Sequence, residues 1–232
     1  MKHKRLRRWS LRILAAVLLV SIAPLLVLRW VTPPTSAVIL ERSLSEGRPQ
    51  DFQWVPLERI SPYAALAVVA AEDQKFPRHH GFDFASISEA IQNNAGGGRL
   101  RGASTLTQQV ARNLFLWQGR SYLRKGLEAW LTVWLEVLWP KERILEVYLN
   151  IAETGPQTFG MEAAAWRFFQ RPAIALTREQ AALIAAVLPS PRRSRPDAPS
   201  DYLLRRQQDI LQQMQQLGGT AWLQGILPTA AR

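Results

Sequence analysis

The 232-residue chain has no cysteine. That excludes a disulfide scaffold, a thiolate zinc site and a cysteine nucleophile. It has three histidines, one of them in the N-terminal tail, too few for a His-built metal centre. It shows no internal repeat and no strong run of strand alternation. Its first 31 residues contain no acid at all. What is present narrows the choice further. Hydrophobic residues make up 47% of the chain, with nine Trp and eight Phe, far more apolar mass than a disordered tail carries. The length suits one domain plus an appendage rather than two full domains. A net charge of +11 leaves nucleic acid, a membrane surface or an anionic substrate as the reason for the basic excess.

The position of the charge decides between them. Lys2, Lys4, Arg5, Arg7, Arg8, Arg12 and Arg29 lie in the first 31 residues, so the remainder is only +4. Ile13 to Leu28 is interrupted only by Ser21 and Pro24. As a helix this run is about 24 Å long. With Arg12 and Arg29 snorkelling, Leu11–Val31 matches a bilayer core, and Trp9 and Trp30 fall at its interfaces. The positive-inside rule puts the 1–10 tail in the cytoplasm and everything after Thr32 outside the cytoplasmic membrane. A cleaved signal peptide is the alternative, but the apolar run is long and Thr35-Ser36-Ala37 is a poor cleavage site. A retained single-pass anchor is expected, and nucleic acid is not expected as a partner.

Residues 32–54 show little periodicity and are expected to be a spacer. From Ser61 the pattern is helical. Ser61-Pro62 predicts an N-cap and first turn for a helix to about Lys75. A helix over Phe84–Asn93 should end before Gly96-Gly97-Gly98, a predicted mobile loop. Thr105 and Gln108 have capping-box spacing and open a helix to about Leu116. Ser121–Trp139 predicts a long helix closed by Pro140, and another follows carrying Ile144, Leu145, Tyr148 and Leu149. A second capping box, Thr177 and Gln180, opens a helix to Leu188. After a polar loop over 192–199, Asp201–Leu217 predicts a final amphipathic helix. The fold expected is mostly α, on a single N-terminal transmembrane helix.

Three clusters could carry chemistry. Glu72 ends the apolar run that starts at Ala64, where partial desolvation would raise its pKa toward that of a useful general base; a solvated helix-end acid is the bland alternative. Arg120, Arg124 and Glu128 lie at i, i+4 and i+8, with Lys125 beside them, on a helix whose second half is apolar nearly all round. Such a row either lines a cleft or forms structural salt bridges. Arg101, Ser104, Thr105, Gln108, Gln109, Arg112 and Asn113 surround a helix N-terminus, a surface suited to phosphate oxygens or simply a capped helix. An isolated carboxylate with many cations suits displacement of a diphosphate, which leaves without needing a proton. A sugar hydrolase would need a carboxylic acid and a second carboxylate close by.

At these residues the sequence resembles the family 51 peptidoglycan glycosyltransferases. Glu72 to Asp83 is similar to their E-D-x-x-F-x-x-H-x-G-x-D motif, and Arg101–Gln109 to their G-G-S-T-I-T-Q-Q motif. Arg124–Glu128 resembles R-K-x-x-E, Lys141–Asn150 resembles K-x-x-I-L-x-x-Y-L-N, and Gly160–Ala164 resembles G-x-E-A-A. Five motifs in order cover about residues 55–195, leaving 196–232 as a C-terminal helical extension. The chain stops about forty residues after the last matching helix, so the resemblance is to members without a transpeptidase domain.

The resemblance implies a lysozyme-like helical glycosyltransferase domain that polymerises lipid II into glycan. Glu72 is implied as the base for the acceptor GlcNAc 4-hydroxyl, which attacks C1 of the donor MurNAc and expels undecaprenyl diphosphate. Glu128 is implied as the second essential carboxylate, assisting at the diphosphate and at a divalent metal, Mg²⁺ or Mn²⁺; no organic cofactor is expected. Arg120, Arg124 and Lys125 are implied to hold the diphosphate, while Arg101, Ser104, Thr105, Gln108, Gln109, Arg112 and Asn113 surround the donor. Asp73, Lys75, Phe76 and His79 complete the implied substrate set, with Phe76 and His79 shaping the motif more than reacting. Leu114–Trp117 is a candidate membrane contact. Lipid II, the glycan strand, membrane lipid and cell-wall synthesis proteins are the implied partners. Ala103 stands where a glycine is usual, and Arg112 where a lysine is, which alters contact geometry but keeps the charge. A lytic transglycosylase and a non-catalytic anchored scaffold are the competing expectations.

Overall fold

The computed structural model describes residues 2–95, 104–119 and 121–226. The expected 96–101 loop, Arg101, Ala103 and Arg120 lie outside them. Helix α1 (Lys2–Leu28) is the apolar N-terminal helix expected from sequence. Its Arg8–Leu28 stretch has mean hydropathy 2.6 and is long and apolar enough to cross a membrane. The end of α1 is built into the domain. Leu25 is fully buried, and its carbonyl accepts from Trp139 Nε1 at 2.7 Å. Arg143 donates to the Leu28 carbonyl at 2.9 Å and to the Val31 carbonyl at 2.8 Å. Arg29 donates to the Leu138 carbonyl at 2.5 Å. The Leu28 carbonyl, which the helix end leaves without a backbone partner, is thus taken up by a side chain of the folded domain.

The expected spacer is folded as well. Ser36 caps α2 (Ala37–Glu46), accepting from the Ile39 amide, and Gly47 ends it in the left-handed region. Val38 and Ile39 pack on Phe159 and Phe52. Strand β1 (Asp51–Phe52) runs parallel to β3 (Thr158–Phe159), which pairs antiparallel with β2 (Glu153–Gly155). A helix with only Val38 and Ile39 buried, next to a two-residue strand, leaves almost no periodic trace in sequence.

The core is organised on α3 (Pro62–Glu72), whose residues Ala64 to Ala70 are all buried. Small alanines let α9 (Arg178–Val187) and α10 (Asp201–Gln216) approach closely, and Leu66, Val68 and Val69 each contribute about 1.5–3 kcal/mol by leaving water. Helix α3 ends at Glu72, short of Lys75, because the chain turns to lead into α4 (Phe84–Ala95). Ser61 precedes α3 but does not cap it: its hydroxyl donates to the Leu176 carbonyl at 2.9 Å, tying the helix start to the turn before α9.

Helix α5 (Leu106–Phe115) begins with the expected Thr105–Gln108 capping box. It packs between α6 (Tyr122–Leu138) and α7 (Lys141–Ile151). Asn150 at the end of α7 pairs with both backbone groups of Val55, each at 2.9 Å, as a neighbouring strand would. Helix α8 (Gly160–Phe169) follows β3 directly. Gly160 has φ +84, and a β-carbon there would lie 2.4 Å from the Asn150 carbonyl oxygen. Gly160→Ala should therefore cost about 2 kcal/mol or more, from left-handed strain and displaced backbone. Thermal unfolding measures this; an unchanged midpoint would show that the corner adapts.

Candidate active site

Glu72 is the last residue of α3, where a buried apolar helix opens to the surface. Its Oε2 accepts from Gln109 Nε2 at 2.9 Å, and Gln109 Oε1 in turn accepts from the Tyr148 hydroxyl at 3.2 Å. Arg206 of α10 lies on the other side, donating to the Ala71 carbonyl at 3.3 Å. Burial raises the Glu72 pKa above its ordinary 4.5, while the Gln109 hydrogen bond and the charges of Arg206 and Arg112 pull it back. The result is a desolvated carboxylate poised to accept a proton. A cavity of about 470 Å³ is lined by Gln109, Arg112, Asn113 and Tyr148 together with Glu153 and Leu188; Glu72 does not line it and meets it only through Gln109.

Asp73, His79, Thr105 and Gln108 occupy the wall of the site rather than its surface. All four are buried and bind each other or nearby backbone. Asp73 accepts from the Leu106 amide at 2.9 Å, supplying an acid to the start of α5. Its carboxylate meets His79 Nε2 at 2.9 Å, and His79 Nδ1 accepts from the Gly81 amide at 3.2 Å. That amide bond fixes the proton of a neutral His79 on Nε2, facing Asp73. The Thr105 hydroxyl donates to the Gly81 carbonyl at 2.7 Å. These groups fasten the end of α3 to the start of α5, which sets Glu72 against Gln109. Phe76 is wholly buried, with the Lys141 ammonium 4.6 Å from its ring centre. Lys75 is turned outward and pairs with Asp83 at 3.1 Å. Asp73, Phe76, His79, Thr105 and Gln108 thus have their polar atoms or rings enclosed in the wall around Glu72.

The charged row on α6 also closes on itself. Glu128, 2% exposed, accepts from Arg124 Nη1 at 3.0 Å and from the Lys125 ammonium. Lys125 is half exposed, whereas Arg124 is mostly enclosed and its Nε finds no partner among the described residues. The neutralised Glu128 sits one helical turn before Thr132, whose methyl group would be met at 2.6 Å by a β-carbon on Gly81. The turn after Glu72 and the Glu128 helix are thus packed directly on each other at Gly81. Among the described residues no three His, Asp or Glu side chains converge as metal ligands would, and both Glu128 oxygens are taken. The described side chains alone do not fit a divalent metal.

Ser104, Arg112 and Asn113 remain partly exposed at α5, and the Arg112 Nε donates to Asn113 Oδ1 at 3.2 Å. In the 114–117 stretch, Leu114 and Leu116 are buried and only Trp117 stands well exposed. The extended apolar surface lies instead on α6, where Leu123, Leu127, Trp130, Val133 and Val137 are exposed along one side. Two residues escaped the sequence reading. Tyr148 was visible only as part of an apolar helix face, and Arg206 reaches Glu72 only because α10 packs on α3.

The transglycosylase family model matches residues 39–215. A biosynthetic peptidoglycan transglycosylase of Cronobacter sakazakii is 53% identical over 225 residues, covering 94% of this chain and 93% of that protein. One from Pseudomonas syringae pv. syringae is 54% identical, covering 89% of each. One from Yersinia pseudotuberculosis is 51% identical, covering 93% of this chain and 92% of its own length.

Proposed function

Because this chain belongs to the transglycosylase family, we propose that it is a peptidoglycan glycosyltransferase that polymerises lipid II into linear glycan. The observation that carries the reading is Glu72: a desolvated carboxylate held by Gln109, under the charges of Arg112 and Arg206, with Gln109 and Arg112 also lining a cavity. The acceptor GlcNAc 4-hydroxyl gives its proton to Glu72 as its oxygen bonds to C1 of the donor MurNAc. The bond from C1 to the diphosphate oxygen breaks with inversion, and undecaprenyl diphosphate leaves.

The state of Glu128 favours transfer over hydrolysis. A glycosidase of the usual kind needs its second carboxyl group free as an acid, base or nucleophile. Here Arg124 and Lys125 neutralise it. The same pair carries one positive charge more than Glu128 takes up, and half-exposed Lys125 presents it to diphosphate oxygens. Ser104, Arg112 and Asn113 form the donor side. A divalent metal, Mg²⁺ or Mn²⁺, would enter with the diphosphate and supply further charge neutralisation.

We place the chain in the cytoplasmic membrane, with α1 as its span, the basic tail inside and the catalytic domain in the periplasm. The exposed side of α6 ends where α1 docks, at Leu138 and Trp139, so it faces the bilayer that carries the substrate lipid.

The test gives the detergent-solubilised full chain labelled lipid II with a divalent metal, and separately gives it preformed glycan. Long glycan from lipid II supports the proposal. Fragments released from preformed glycan would make it a lytic enzyme instead, and no turnover of either would leave an anchored scaffold.

A further inference from the structure

We infer that Tyr148 is a positioning residue for this reaction: its hydroxyl fixes the orientation of the Gln109 amide, and through that amide it holds the Glu72 carboxylate. The inference rests on Glu72 as the proton acceptor. Tyr148 stands on α7 and is 1% exposed, and its hydroxyl is 3.2 Å from Gln109 Oε1. Gln109 Nε2 is 2.9 Å from Glu72 Oε2. The three side chains come from three helices and form one chain of hydrogen bonds.

A glutamine amide beside a carboxyl group is ambivalent. With its N–H forward it stabilises the carboxylate. Flipped, its oxygen accepts from the protonated acid instead. Free to do either, it would serve both states of Glu72 and discriminate little between them. Tyr148 removes that freedom. Were the amide to flip, the hydroxyl would face N–H groups and its own proton would be left buried without an acceptor, which is costly. The described structure gives the hydroxyl no other hydrogen-bond partner. The amide therefore keeps its N–H toward Glu72 and selectively supports the carboxylate.

The groups that act on Glu72 come from four directions. Gln109 and Arg112 approach from α5, Arg206 from α10, Tyr148 from α7, and Asp73 follows it in the chain. The arginine charges and the amide favour ionisation; burial and the Asp73 charge oppose it. Tyr148, itself held neutral by burial and by the Glu72 charge, acts on this balance only by way of the amide.

The experiment is a two-residue cycle of Tyr148→Phe, Gln109→Ala and the double variant, in the full detergent-solubilised chain. Two quantities are followed: the acid limb of lipid II polymerisation and the carboxyl ¹³C titration of Glu72, assigned through Glu72→Gln. Tyr148→Phe should move both midpoints up by about half to one pH unit, the value of one hydrogen bond. Polymerisation should then fall about three- to tenfold below the limb and little on the plateau. Gln109→Ala should shift the midpoints at least as far, and adding Tyr148→Phe to it should shift them no further. Unmoved midpoints in Tyr148→Phe, or an equal second shift in the double variant, overturn the inference. A lowered melting temperature with unmoved midpoints overturns it too, since tyrosine would then act by packing alone. The titration needs no substrate, so the two readings fail separately. A wild type that makes no polymer but shows the shift loses the reaction and keeps the positioning. A wild type that polymerises with an unmoved Tyr148→Phe midpoint does the reverse.

Discussion

Glu72→Gln is expected to lower lipid II polymerisation by about 10²- to 10⁴-fold, the usual contribution of a general base, while making the protein more resistant to heat at neutral pH. The second half follows from the direction of the pKa shift. Burial raises the folded-state pKa above the ordinary 4.5, so folding favours the protonated acid. The stability this group contributes is present below 4.5 and is lost as pH rises through its raised folded value. A glutamine has no charge to desolvate. The melting temperatures of the two proteins should therefore be similar at pH 4 and separate by pH 8, with the variant higher. Melting curves at the two pH values, run beside the polymerisation assay, check both parts. A variant that stays active refutes the base assignment. One that melts lower at pH 8 shows that the carboxylate is better solvated than its position on α3 implies.

The second large effect is at Glu128. Glu128→Ala leaves Arg124 enclosed without its counter-charge, and breaking such a pair costs about 3–5 kcal/mol. The low end is expected, because half-exposed Lys125 can turn to solvent. Turnover should fall about 10²-fold, the scale of losing one preorganised electrostatic element. Glu128→Gln keeps the shape and can still accept from Arg124, so it separates the two losses. It should recover much of the stability and little of the turnover. Recovery of both would reduce Glu128 to a structural ion pair. Denaturant unfolding and steady-state turnover on the same samples give the answer.

Features set by neighbours in the chain were legible from the sequence. Both capping boxes, Thr105 with Gln108 and Thr177 with Gln180, form as their spacing requires. So does the apolar run that makes α3 central. Features set across the chain were not. Ser61 has the look of a cap, yet its hydroxyl is drawn to Leu176, 115 positions away. The Arg124–Lys125–Glu128 row has helical spacing, but spacing alone does not separate a cation face offered to a ligand from a carboxylate already neutralised. The segment 37–46 reads as a spacer because Leu40 and Leu44 point outward and only Val38 and Ile39 find the core. Arg206 had no local signal of any kind. Its relevance depends on α10 lying across α3, which nothing near residue 206 announces.

The seam between α1 and the domain has a mechanical consequence. A slack tether would let the enzyme swivel over the bilayer, whatever the lipid. Here Trp139 and Arg143 grip the last turn of α1, and Arg29 grips α6 in return. The span and the domain therefore turn together, as a lever does with its shaft. Helices tilt when the bilayer thins, so membrane thickness becomes a control on which way Glu72 faces. Polymerisation in vesicles of graded acyl-chain length should vary with thickness, and Arg143→Ala should flatten that dependence. An equally steep dependence in the variant would mean that the shaft slips.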